Sequence, residues 1–264
     1  MAKEKNPKTS APEAPTGTAA SRAQARRRAA KVHEEETFLG AIWDWTKSIG
    51  IGFLIFIVIR TFLIQTFTII SGSMENTLLI GDFLVLSKSA YGATIPGTEK
   101  KLPGYSQPKR NDIVVFRSHH QEPQIDLVKR LVGMPGDTLS MKGGQLHRNG
   151  VALVEPYVQH IADGNDGYDP TMEWQKGFLT DSVRAQPYYP TRDNWGPIVV
   201  PDTGYFMMGD NRDSSLDSRY WAFVPKRDLM GRAVGLYFSY DKFDADGIPF
   251  FGHIRWGRIG NRLH

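Results

Sequence analysis

The stretch from Phe38 to Ile70 constrains this chain more than any other feature. Its centre, Ser48-Ile-Gly-Ile-Gly-Phe-Leu-Ile-Phe-Ile-Val-Ile59, carries no charge, and Lys47 and Arg60 bound it. A helix needs about 20 apolar residues to cross a ~30 Å hydrocarbon layer. Residues 40–60 supply that length if Asp44 and Lys47 pair near one interface, with Trp43 and Trp45 anchoring the same boundary. Lys3, Lys5, Lys8, Arg22, Arg26, Arg27, Arg28 and Lys31 all precede the span. An excess of basic residues marks the cytoplasmic flank. The expectation is therefore a transmembrane helix over residues 38–62. The N-terminus would lie in the cytoplasm, and the chain beyond about residue 62 outside. A cleaved signal peptide fits poorly, because the basic leader is too long and no small-x-small site closes the apolar run. A buried helix of a soluble protein is the other alternative.

Residues 1–37 have no aromatic residue, and Met1 and Val32 are their only large aliphatic or thioether side chains. Such a segment buries too little surface to offset the entropy of ordering. It reads as a disordered tail with some helix near Arg26–Glu36. The net charge of +4 resides largely in the first 40 residues. The folded part has no basic face of the kind a nucleic-acid partner requires.

Beyond the span the texture is β. Phe83–Ser87, Asp112–Phe116, Asp126–Val132, Ile198–Val200, Tyr205–Met208 and Ala233–Phe238 are short runs rich in Val, Leu, Ile and aromatics. Asn149-Gly150 between Gln145 and Val154 predicts a hairpin with a type I′ turn. Residues 91–109 read as a loop. The predicted architecture is mostly β: an antiparallel β core over 63–137 and 201–240, interrupted by a small cap subdomain over 138–200. One N-terminal transmembrane helix anchors it. Residues 241–264 form a C-terminal tail with aromatics and arginines, suited either to lipid headgroups or to solvent.

Two side chains are candidates for chemistry. Ser73 lies in Ser71-Gly-Ser-Met74, just after the apolar stretch, and Lys129 lies in the apolar run Leu127-Val-Lys-Arg-Leu-Val132. A serine hydroxyl is a poor nucleophile until a base removes its proton. An unperturbed lysine is neutral in roughly one molecule in 2,500 at pH 7. Burial among aliphatic neighbours lowers its pKa and turns it into a base. Other chemistries fit less well. The chain has no cysteine, so disulfides and thiol catalysis are excluded. The seven histidines form no His-x-x-x-His motif, and His119-His120 reads as solvated. Asp163-Gly-Asn-Asp-Gly167 resembles a calcium loop in part, but Gly167 and Trp174 stand where ligands belong. No metal or cofactor is implied.

Four segments, in order, resemble the bacterial type I signal peptidases. They are Ser71-Gly-Ser-Met-Glu-Asn-Thr-Leu78 with Ile80-Gly-Asp82, Lys109-Arg-Asn-Asp-Ile-Val-Val-Phe116, Val128-Lys-Arg-Leu-Val-Gly-Met-Pro-Gly-Asp137, and Gly209-Asp-Asn-Arg-Asp-Ser-Ser-Leu-Asp-Ser-Arg219. The resemblance spans roughly residues 41–240. It implies that Ser73 is the nucleophile and Lys129 the general base. Ser71, with the backbone N–H of Ser73, forms the oxyanion hole. Ser215 orients the lysine, and Asp217 and Arg219 are a supporting ion pair. Phe67, Ile69, Leu78, Leu84 and Val128 match substrate-pocket positions. The implied activity is removal of signal peptides from exported preproteins after small-x-small (Ala-x-Ala) sites, at a bacterial inner membrane. The partners are the preprotein and membrane lipid. An extended substrate would add as a strand beside Phe67–Ser71 and Asp126–Lys129. Another Ser–Lys processing peptidase, of a secretion or conjugation system, and an inactive membrane-anchored binding protein are the alternatives. The chain departs from the family at Ile70 and Asn76, where prolines are common; Asn76 is expected to leave its turn looser.

Overall fold

The computed structural model describes residues 19–98, 100–118, 120, 122–161, 166–241 and 253–263. Helix α1 (Ala19–Val58) leads into a π-helical turn over Ile59–Leu63. Among the described residues the helix starts at Ala19, so the helix expected near Arg26–Glu36 is part of a longer one. Alanine, arginine, lysine and glutamate dominate this part, and all are strong helix formers. The remaining residues of the expected tail lie outside the described residues. Gly40–Leu63 is long and apolar enough to cross a membrane, with a mean hydropathy of 1.7. Residues up to Phe56 form one compact unit, and those from Ile57 onward form a second.

The strands of the second unit are β1 (Ile64–Thr68), β2 (Asp82–Ser87), β3 (Ile113–Arg117), β4 (Asp126–Gly133), β5 (Thr138–Lys142), β6 (Gln145–Arg148), β7 (Val151–Ala152), β8 (Trp195–Val199), β9 (Gly204–Met208), β10 (Val224–Pro225) and β11 (Leu229–Ser239). Every pairing between them is antiparallel. One sheet runs β1-β2-β11-β3-β4-β9-β10, and the other β7-β6-β5-β8. Residues 138–199 thus build a sheet of their own.

The core sheet is apolar on both faces. Along β3, Ile113 and Val115 join Leu84, Leu86, Ala233 and Leu236 in one cluster, while Val114 and Phe116 join Leu131, Tyr205 and Met207 in another. That is the period-2 alternation of a strand covered on both sides. Each fully buried aliphatic side chain contributes roughly 1.5–3 kcal/mol. A third cluster links Leu139, Met141, Trp195 and Ile198 of the small sheet to Val132, Phe206 and Met208 of the large one. The hairpin turn forms as expected: Asn149 and Gly150 have φ of 53° and 82°, the signs a type I′ turn needs. A 3-10 segment over Pro170–Phe178, started by an Asp169 cap, was not anticipated from the sequence.

The C-terminal segment departs from the expected lipid-bound or solvated tail. Arg258 bonds both Asp82 carboxylate oxygens, at 3.0 and 2.5 Å, and the Thr77 carbonyl at 2.9 Å. Arg255 reaches the Ile80 carbonyl. Asp82 is fully buried, so it needs a cation more than it needs solvent. Trp256 remains 73% exposed, and Phe250 and Phe251 lie outside the described residues. Arg258→Ala is expected to cost about 2 kcal/mol, because among the described residues Asp82 then keeps the Ser239 hydroxyl, the Leu79 N–H and the more distant Arg255 guanidinium at 3.9 Å. Urea unfolding of the variant beside wild type measures this. An unchanged midpoint would show that the tail does not hold the 77–82 turn.

Candidate active site

Ser73 sits in a short 3-10 turn, Gly72–Met74, that follows β1. The first N–H groups of such a turn have no partner within it, so the Ser73 N–H is available to an external acceptor. The turn is held from outside. Asn211 donates its backbone N–H to the Ser73 carbonyl (3.2 Å) and its side-chain amide to the Gly72 carbonyl (3.3 Å). Asn76 has φ of 83°, and its amide bonds the Tyr157 carbonyl at 3.1 Å. The expectation of a looser turn at Asn76 is corrected by this cross-link. A proline, fixed near φ −65°, could not take that conformation, whereas asparagine tolerates it.

Lys129 lies on β4, opposite Val114 of β3. Its ammonium nitrogen is 2.5 Å from the Ser73 hydroxyl oxygen, and the two residues are 3% and 8% exposed. Burial, helped by Arg219 and opposed by Asp217 and Asp210, brings the Lys129 pKa down to about 8. Desolvation dominates because the ammonium form loses its water and has no carboxylate in direct contact.

Three buried arginine–carboxylate pairs clamp the loop over residues 209–219. Arg219 bonds Asp217 at 2.8 and 2.9 Å, and both are fully buried. Burial works to raise Asp217, but Arg219 and the Gly209 N–H hold its carboxyl below the usual range. Arg130, next to the lysine, bonds Asp210 at 2.8 and 2.7 Å, and its guanidinium stacks 3.8 Å from the Tyr157 ring. Arg212 bonds Glu155 at 3.1 and 2.7 Å. Breaking a buried pair costs more than forming it gains, so these ties fix one loop geometry. Gly209 lies at its start. A Cβ there would stand under 3.0 Å from both the Ser215 side chain and the Ser73 carbonyl oxygen.

The remaining sequence candidates divide. Ser215 is 5% exposed and packs against Gly209; among the described residues its hydroxyl makes no hydrogen bond to Lys129, and it interacts instead with the Asp217 carboxylate, which it helps to hold ionised. Ser71 is exposed at the start of the Ser73 turn. Phe67 and Val128 are half-buried and Ile69 is 6% exposed, all on one cluster beside the site. Leu78 and Leu84 are fully buried in that same cluster. β1, β11 and the turn after Ser73 surround them, in the cluster against which Phe67 and Val128 pack. The backbone is open where a strand could add. β1 lies at the sheet edge, and β9 pairs β4 only from Arg130 onward, beyond Asp126–Lys129.

Nothing in the sequence singled out Arg130, Gly209, Glu155 or Tyr157. The run of arginines and acids in 209–219 was the available signal, but their partners Arg130 and Glu155 lie far off in sequence. His160, Asp193 and Asp213 bring ligand atoms within 4.8 Å of one another. Arg192 bridges both carboxylates at 2.7 and 3.4 Å, which makes the group an ion-pair cluster rather than a cation cage.

The comparisons with known proteins agree with this geometry. A family described as "Signal peptidase, peptidase S26" matches residues 42–238. The chain is 34% identical to "Signal peptidase I" of Pseudomonas aeruginosa, over 80% of its own length and 78% of that protein. It is 33% identical to "Signal peptidase I" of Buchnera aphidicola subsp. Schizaphis graminum, over 79% and 78%. A buried serine–lysine contact on a β scaffold, inside a matched region that contains both residues, leads to one statement: this chain belongs to the signal peptidase family, peptidase S26.

Proposed function

We propose that the protein removes signal peptides from exported preproteins after small-x-small sites, with Ser73 as nucleophile and Lys129 as general base. The single observation that carries this reading is the 2.5 Å contact between the Lys129 nitrogen and the Ser73 oxygen in a water-poor setting. The neutral amine takes the hydroxyl proton as Ser73 Oγ attacks the scissile carbonyl. The oxyanion that forms meets the Ser73 N–H and the Ser71 hydroxyl. The lysine ammonium then protonates the departing amine. Water, activated by the same amine, releases the signal peptide from Ser73. Ser215 steadies the lysine once a substrate excludes water.

The substrate lies extended between the open edges of β1 and Asp126–Lys129, where main-chain hydrogen bonds fix its register. Phe67, Ile69 and Val128 form shallow apolar walls that accept a methyl and reject longer side chains. The Lys and Arg residues before the span keep the N-terminus in the cytoplasm, so the catalytic unit faces the outer side of a bacterial inner membrane. Substrate and enzyme then share one membrane, which raises their effective concentration.

The test is cleavage of one Ala-x-Ala preprotein by wild type and by Ser73→Ala. Wild type is expected to release the signal peptide, and the variant to lose at least about 10^4-fold in kcat. A preprotein left intact by wild type, or cleaved equally by Ser73→Ala, would refute the reading.

A further inference from the structure

One end of the core sheet carries a groove that the proposed cleavage chemistry does not use. It encloses about 800 Å³. Gln65 of β1, Lys88 just past β2, Arg117 of β3 and Met230 of β11 line it, so it crosses the sheet where these strands begin or end. Ser71 and Ser73 follow the other end of β1. Asp126, at the start of β4, also lines the groove three residues before Lys129, so the groove lies beyond the far ends of the two proposed substrate edges, β1 and Asp126–Lys129.

Its charge is cationic. Lys88, Lys101, Arg117 and Arg227 line it against Asp126 and Asp228. Arg117 is 3.5 Å from Asp126, and Arg227 is 3.8 Å from Asp228. Lys101 donates to the Leu229 carbonyl. Lys88 forms no ion pair with a carboxylate among the described residues, and the charge that acts on it is the Arg60 guanidinium. Burial and then Arg60 lower the Lys88 pKa, as expected of an ammonium that lacks an anion.

The position of the groove decides what the anion is. Thr61 lines it, and Thr61 is also one of the last residues of the membrane-length apolar stretch Gly40–Leu63. Ile57–Leu63, the end of that stretch, belongs to the same compact unit as the groove. If the stretch crosses a bilayer, Thr61 lies at headgroup depth and the groove opens beside it. We propose that this groove binds the phosphodiester headgroup of an anionic phospholipid in the leaflet where the span ends. Lys88 and Arg117 supply the charge, and Thr61 and Gln65 supply hydrogen bonds.

The full chain in mild detergent, mixed with equal amounts of phosphatidylglycerol and phosphatidylcholine of matched acyl chains, tests this by native mass spectrometry of retained lipid. Wild type is expected to keep phosphatidylglycerol at least tenfold over phosphatidylcholine. Lys88→Gln with Arg117→Gln should cut that preference by about threefold per charge, the equivalent of about 0.7 kcal/mol each, and so bring it close to parity. Lys109→Gln with Lys142→Gln, two exposed lysines outside the groove, should leave it unchanged. Equal loss in both pairs, or no loss in the groove pair, overturns the proposal. Displacement of the lipid by 10 mM inorganic phosphate would overturn it in favour of a free anion, and displacement by a ten-residue polyglutamate in favour of an acidic protein segment. Melting curves check that each variant is folded. If the double variant is not, Lys88→Gln alone is read in the same way.

Discussion

Lys129→Met is expected to abolish cleavage and to raise stability in the same step. The amine is buried and its pKa lies near 8 rather than 10.5. In the unfolded chain the lysine binds its proton up to about pH 10.5, whereas the folded chain releases it near 8. The unfolded state therefore holds more protons between those values, and stability rises with pH across that window. Below about pH 8 the whole penalty is present, and it amounts to about 3 kcal/mol. Methionine has similar length and no charge to desolvate. At pH 7 the variant is expected to melt about 5–10 °C above wild type. Near pH 10.5 the two should converge. Activity moves the other way, with a loss of at least about 10^4-fold in kcat. Wild-type kcat/KM should fall tenfold per pH unit below about 8, as the base becomes protonated. A variant that melts below wild type, with a gap that ignores pH, would show that Lys129 is not held as a strained amine. A rate that stays flat down to pH 5 would remove it as the base.

Gly209→Ala is the second large effect. A methyl group there meets the Ser215 side chain and the Ser73 carbonyl oxygen at less than 3.0 Å. The carbonyl cannot yield without rotating the Ser73 turn, which Asn211 also grips. The loop cannot yield easily either, because three ion pairs fix it. The expected cost is about 1–3 kcal/mol of stability. The expected loss in kcat is at least 10^2-fold, since a shift of about 1 Å in the nucleophile has that effect. Gly177→Ala, where a methyl meets nothing within 4 Å, should keep full activity. Full activity in Gly209→Ala would mean that the Ser73 turn adapts freely.

What was legible in the sequence followed local rules. The apolar stretch, the alternating strands and the Asn149-Gly150 turn each depend on neighbours within a few residues. So did the apolar neighbours of Lys129, which gave the reason for its lowered pKa. The parts that were missed depend on distant partners. Arg130 looked like any strand arginine, because Asp210 lies 80 residues away. That Leu78 and Leu84 are fully buried follows only from the packing of β1 and β11 around them. The C-terminal tail looked ready for lipid because the partner of Arg258, Asp82, stands 176 residues earlier. Asn76 looked like a loss of rigidity until its φ and its bond to Tyr157 gave it a positive reason.

The small sheet leaves and rejoins the large one through a narrow waist. The Gly136 N–H bonds the Val200 carbonyl, and the Val200 N–H bonds the Asp137 carbonyl, each at 2.9 Å. If residues 138–199 condense first, β4 and β9 are delivered to one another as if joined by a short tether. The entropic barrier to closing such a long excursion is then met in stages. A tight turn grafted between Asp137 and Val200 would keep the order of the surrounding strands, but it would remove Glu155 and Tyr157, which brace Arg212 and Arg130, and uncover Val132, Phe206 and Met208.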